Sequence, residues 1–511
     1  MSETTVILRS DPGIKRDGTK FDGNIYTDGQ WVRFQRGLPR KIGGYKATQK
    51  YLTEISRGFS TFTQQLYIYC HSGSANTLER FTIDSTGNSS IISDRTPSSL
   101  TASDLNMWMF DYQYDSSTSQ NYLFAHVSPN MKCSCNAEGG QIFFGEVLGT
   151  GTLNEVTLPA DANCTGGIVS LHPYLVYYGT DGIIGWSKPG EPTNLTDFVN
   201  GAGIARVWGQ KIIKGLPLRA GSGSAPAGIF WAWDAVIRMT FTGGATVFQF
   251  DVLATDTSIM SANSVVDYDG VFYWVGVDRF LMFNGVVREV PNQYNLNWFF
   301  DGLNQRQRSK VFAFKEPRYG EIWWCYPRGD AEECTHAVVL NVRENCWYDT
   351  VLPNQGRASG QFNNSFAAPI LTGTKGTGGD YRVWVHEQGV DEIDGPIINP
   401  IQSYFETADL SSLVQGRSEA VRISRIEPDF VQSKAMTVQV TGRANARASE
   451  IYGTKFTFPE KATTPQEQIV MLKEQRRELR VRFESNEVGG NYQMGQIMGH
   501  ISSGDRTVLG A

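Results

Sequence analysis

One phrase recurs along this chain: an aromatic-rich strand, a Gly, Asp or Asn turn, then a second apolar strand. Its clearest copy runs from Val265 to Pro291, where Gly270-Val-Phe-Tyr-Trp-Val275, Phe280-Leu-Met-Phe283 and Val286-Val287 are separated by short polar breaks. Asp269-Gly270 and Asn284-Gly285 are turn dipeptides that tolerate positive φ at little cost, so they predict tight hairpins. Related pairs include Gln65–Cys70 with Leu78–Ile83, Pro173–Tyr178 with Ile183–Trp186, and Gly228–Trp233 with Val236–Phe241. The mid-strand residues Tyr67, Tyr122, Val176, Trp231, Tyr273, Trp323 and Trp384 are separated by 55, 54, 55, 42, 50 and 61 positions. Propeller blades repeat at about 40–50 residues, and longer loops stretch that period. A β-sandwich gives short strands but no reason for such a recurrence. The expected fold is all-β: an irregular six- or seven-bladed β-propeller over residues 50–395.

The flanks have a different texture. Residues 1–49 read as an extended arm, with eight basic against three acidic residues from Lys15 to Lys46, although the whole chain carries a net charge of −6. Within it, Gln30-Trp-Val-Arg-Phe-Gln35 alternates with the period of a strand. A solvated edge strand is the plain expectation for it; the sharper one is that Arg33, Arg36, Arg40 and Lys41 meet a partner's acidic rim or phosphate. Asp394-Gly-Pro-Ile-Ile-Asn-Pro400 reads as a linker. Residues 396–511 then hold five or six strands, enough for a sandwich-like antiparallel domain, unless the last strands close the ring by pairing with the arm. In Glu478–Phe483, Leu479, Val481 and Phe483 alternate with charged residues, the pattern of a half-buried strand. Leu296–Gln307 is the best helix candidate, and Thr464-Pro-Gln-Glu a single turn.

Catalytic signatures are missing from the sequence. The six histidines are isolated, and no H-E-x-x-H, G-x-S-x-G or phosphate-binding loop in strand–helix context occurs. Gly221–Gly228 and Gly373–Gly379 are glycine-rich but have no helix to follow. Cys133-Ser-Cys135 has no second pair to complete a zinc site. Cys325, Cys334 and Cys346, beside one predicted hairpin, read as buried small hydrophobes. Asp181, Asp269 and Asp278 are the acids a propeller hydrolase would use, and each also has a turn-forming role. No catalytic, cofactor or metal site is expected. The absence of an apolar leader, of an eighteen-residue apolar run and of a disulfide framework points to synthesis in a reducing compartment with no membrane span.

Two terminal segments carry a resemblance. Ile14-Lys-Arg-Asp-Gly-Thr-Lys-Phe21 with Asp28–Tyr45 (DGQWVRFQRGLPRKIGGY), and Glu478–Gly495 (ELRVRFESNEVGGNYQMG), resemble the N- and C-terminal signatures of a group of bacteriophage structural proteins. Between them, Ser258-Ile-Met-Ser261, Phe272-Tyr-Trp-Val275 and Asp278–Gly285 are similar to a blade of the tail nozzle, or packaged-DNA stabilisation, proteins of short-tailed phages. The resemblance implies a non-enzymatic virion protein of the viral tail, assembled in the bacterial cytoplasm as a homo-oligomeric ring, a hexamer. It would sit below the portal–adaptor complex, extend and close the DNA-ejection channel, retain packaged DNA, and present tail fibres, a spike or a needle. Genomic DNA would slide past an acidic bore without sequence-specific binding, because such a surface repels phosphate. Two other functions fit a propeller: a host-glycan-binding adhesin of the tail, and a polysaccharide hydrolase.

Overall fold

The computed structural model describes residues 3–20, 23–49, 51–64, 66–84, 87, 89–90, 92–129, 140–218, 225–244, 246–374, 380–413, 419–445 and 447–506. Seven sheets follow one another around an axis, the first six of them four-stranded antiparallel meanders. Blade one comprises Gly58–Gln64, Tyr67–Gly73, Leu78–Ile83 and Ser93–Asp94. Blades two to six begin at Asn106–Asp115, Gly167–Leu171, Ile212–Pro217, Val266–Tyr268 and Phe312–Glu316, and blade seven at Arg357–Asn363. In blades one to six the recurrent phrase is the second and third strand, whereas in blade seven Trp384 lies on the third. In blade five the predicted hairpin forms as Tyr268 pairs with Val271, and Asp269 and Gly270 take φ of 52° and 81°.

Each junction between blades has an apolar core of its own. Leu78 packs with Trp108 and Leu123 between blades one and two, and Trp231 meets Trp274 at 5.6 Å between blades four and five. Large, stiff aromatic side chains fill the wedge between twisted sheets, which explains their recurrence at blade spacing. The short helix Leu296–Gly302 buries Phe299 in the core between blades five and six, where that ring lies 5.2 Å from Phe280. The turn Pro465–Gln468 forms as expected, closed by a capping box between Thr464 and Glu467.

The arm is not a separate unit. Tyr45–Ala47 pairs with Val383–His386 as the fourth strand of blade seven, so the ring is closed by the start of the chain. Asp394–Pro400 is not a linker: Glu392–Asp394 runs parallel to that closing strand and forms a hairpin with Ile397–Asn399, widening blade seven to six strands. The C-terminal residues form three sheets, and each takes strands from the arm. Thr4–Ile7 joins Met498–Arg506, Asp28–Gln30 joins Ser403–Glu406, and Val32–Gln35 with Leu38–Lys41 joins Asn491–Met494. Residues 396–511 therefore complete their sheets only with the arm. One apolar cluster runs from this composite unit into blades six and seven, through Trp31, Phe34, Tyr45, Trp323, Tyr348, Trp384 and Phe483.

Glu478–Ser485 is also more deeply placed than its alternation suggested. It is an interior strand between Met436–Arg443 and Ser403–Glu406, and its charged face is covered too. Arg480, 1% exposed, is held by Glu450 at 2.6 Å and Glu406 at 3.2 Å. Lys20 of the arm reaches the same Glu450 at 2.9 Å.

Tyr45 tests the closure. Its ring is buried against Trp384, Trp31 and His386, and its hydroxyl donates to Glu392 at 2.9 Å. Tyr45→Ala is expected to lower stability by about 3–5 kcal/mol in urea unfolding, as large aromatic truncations in cores do. A loss below about 1 kcal/mol would mean that the closing strand contributes little.

Candidate functional site

The four basic residues of the arm separate into a buried pair and a surface pair. Arg33 and Lys41 are buried, because the hairpin that carries them is clamped between the composite unit and the propeller. Arg33 is 1% exposed. Its Nη2 donates to Glu387 Oε1 at 2.6 Å and Glu321 Oε2 at 3.0 Å, and its Nη1 to Glu387 Oε2 at 3.0 Å. Tyr319 stacks against the guanidinium at 3.6 Å. Glu321 also accepts from the Tyr348 hydroxyl at 2.6 Å and from Trp323 Nε1 at 2.9 Å. This cluster ties the arm to blade six through Glu321 and to the end of blade seven through Glu387.

Lys41 makes a second tie. Its ammonium donates to the Gly490 carbonyl at 2.7 Å, and burial lowers its pKa to about 8, opposed by Asp391. Asp391 in turn accepts from Gly489 N at 2.7 Å. Between the two ties, Gly43 and Gly44 pass so close to residues 387–391 that a Cβ on Gly44 would lie 2.3 Å from the Asp391 carbonyl oxygen. Only glycine permits that approach.

Arg36 and Arg40 remain at the surface. Arg36 sits at the hairpin tip with φ of 55°, its backbone N–H donating to Glu344 at 2.8 Å while its side chain is exposed. Arg40 is half-buried and donates to Gln35 Oε1 at 2.8 Å.

Sequence reasoning missed the carboxylates that receive Arg33. Glu316 and Glu321 face each other across one hairpin. Glu316 is 1% exposed, and its Oε2 has no hydrogen-bond partner. Burial first, then Glu387 and Glu321, push its pKa up to about 8 against the opposing pull of Arg33. The available signal was a glutamate opening the apolar run Ile322–Tyr326, which nothing in the sequence linked to Arg33.

The first strand of each blade faces the axis, and a cavity of about 310 Å³ lies there, lined by blades one, two, four, five, six and seven. The acids named for a hydrolase do not gather. Asp181 and Asp269 hold turns at positive φ, and Asp278 pairs with Arg279 at 3.1 Å. Among the described residues no group of three or more His, Cys, Asp or Glu is placed to hold a metal, and no helix is long and apolar enough to cross a membrane. Cys70, Cys164, Cys325, Cys334 and Cys346 are free and buried. Cys133 and Cys135 lie outside the described residues, as do residues 221–224 and 375–379 of the two glycine-rich segments.

No protein-family model matches the chain, and no curated protein matches it. Solved structures that are similar include the WD40 β-propeller domain of Doa1, with a TM-score of 0.40 and 11% identity over 68% of this chain and 98% of that one. A structure of U3-55K aligns at a TM-score of 0.38 and 8% identity, over 67% and 98% of the two chains. The WD40 repeats of RRP9 align at 0.38 and 8%, over 68% and 99%.

The Glu316 proton makes the cluster pH-sensitive. The folded protein keeps a proton up to about pH 8 that the unfolded chain releases near 4.5. Its contribution to stability is therefore full below the lower value and is lost as pH rises through the upper one. Urea midpoints measured between about pH 5 and 9 should fall less steeply for Glu316→Gln than for the parent. Parallel curves would remove Glu316 from the account.

Proposed function

We propose that the chain is a tail nozzle subunit of a short-tailed bacteriophage, a virion protein without catalytic activity. Its ring would extend and close the DNA-ejection channel below the portal–adaptor complex and retain the packaged genome. One observation supports this reading above the others. The two segments that carry the resemblance, some four hundred residues apart in sequence, form a single joint. The hairpin Val32–Lys41 pairs with Asn491–Met494, where Arg40 faces Gln493. Asp28–Gln30 joins Glu478–Ser485 through Ser403–Glu406. The two signatures thus specify one structural device, which locks a closed propeller to a second β unit.

Such a device suits a component under mechanical load. Pulling on the arm would have to break the ladder at Tyr45–Ala47 and extract Arg33 from its carboxylates, so ring closure and the composite unit resist together. Arg36 and Arg40 project from the same hairpin and provide positive charge toward a neighbouring subunit or an acidic ring above.

Native mass measurement with negative-stain imaging, alone and with portal–adaptor complexes, tests the reading. The expected result is a ring of identical copies, formed alone or on the complex. A compact monomer that ignores the complex and binds glycan would overturn it in favour of an adhesin. In the same assay, Arg36→Glu with Arg40→Glu should weaken assembly about tenfold, more at low salt, with Tm unchanged within about 2 °C. Unchanged assembly would remove these two residues from the interface.

A further inference from the structure

We infer that the axial cavity of the propeller binds a small organic anion, a carboxylate on an apolar or aromatic body, with Lys214 meeting the carboxylate. Lys214 lies on the first strand of blade four and lines the cavity. Among the described residues its ammonium has no hydrogen bond and no ion pair, and its one favourable electrostatic neighbour is Asp111. Asp111 is already committed: Oδ1 accepts from Tyr112 N at 2.8 Å and Oδ2 from Ser170 N at 2.7 Å. Lys214 is half-buried on the cavity wall, and an anion entering the cavity would accept the hydrogen bond that Asp111 does not.

The other polar groups agree on the sign of the charge. Lys315, the second ammonium on the cavity, donates at 2.8 Å to the Asp267 carbonyl, a neutral acceptor. The Asp267 carboxylate accepts from Gly270 N at 2.9 Å, within its own turn. The Asn263 side chain lines the same space with no hydrogen-bond partner among the described residues, so its amide is free to donate.

The walls select the body of the ligand. Phe110 on blade two, Leu216 on blade four and Phe362 on blade seven are half-buried apolar side chains on this wall, and about 310 Å³ suits a single-ring molecule. A phosphate would need several donors to replace its water shell, whereas among the described side chains that line the cavity only the donors of Lys214 and Asn263 make no hydrogen bond. A monoanionic carboxylate matches that supply. This site is independent of the assembly reading, since it lies inside one propeller.

Calorimetric titration of the full chain with benzoate, benzamide and inorganic phosphate at matched ionic strength tests the inference. Benzoate should bind saturably and raise Tm, with benzamide and phosphate weaker by about tenfold or more. Lys214→Met should lose benzoate binding to a similar degree while melting within about 2 °C of the parent, because it removes a half-buried ammonium that donates no hydrogen bond among the described residues. Asn263→Asp changes charge at nearly constant volume and should also abolish binding, which keeps the test intact if Lys214→Met fails to fold. Absent benzoate saturation, tighter phosphate binding, or full binding by a folded variant would each overturn the inference.

Discussion

A ring of blades is stable only if its last sheet finds an edge partner, and here that partner is the strand Tyr45–Ala47 from near the start of the chain. Its ladder with Val383–His386 joins segments more than three hundred residues apart. Loop-closure entropy opposes so distant a contact, yet it grows only slowly with length, and the apolar cluster around the joint offsets it. The aromatic packing between the other blades acts on neighbours in sequence. Together with the apolar core between blades seven and one, the closure makes the seven sheets one body.

The buried charges serve a different purpose from the aromatic core. Arg33 with Glu321 and Glu387, Lys41 with Gly490, and Arg480 with Glu406 and Glu450 hold segments that apolar packing would permit to slide. A buried ion pair adds little net stability against an apolar replacement, because desolvation offsets the attraction. What it supplies is register: Arg33 satisfies both of its carboxylates only when blade six, the end of blade seven and the arm hairpin are in their observed places. The proton on Glu316 follows first from its burial and then from the neighbouring carboxylates of Glu387 and Glu321.

The axial cavity lies apart from this joint. Most of its polar groups are committed to backbone or turn contacts, which leaves Lys214 and Asn263 as the uncommitted donors. The proposed assembly surface and the proposed ligand site thus lie on different parts of the closed ring.

The sequence by itself determined the all-β class, the blade rhythm, the turn positions and the change of texture at both ends. These are local properties: alternation, turn dipeptides and aromatic spacing act within a hairpin. Only the tertiary structure decided that there are seven blades, that the arm closes the last of them, and that the residues after 396 complete their sheets with the first fifty. Strand pairing across the chain is not encoded by any short-range pattern. For the same reason Arg33 and Lys41 read as surface charges. Their alternation marks a strand, but whether the polar face meets water or buried carboxylates depends on what the rest of the fold lays over it. Glu321 and Glu387 are separated from Arg33 by some three hundred positions, and folding alone brings them to one guanidinium.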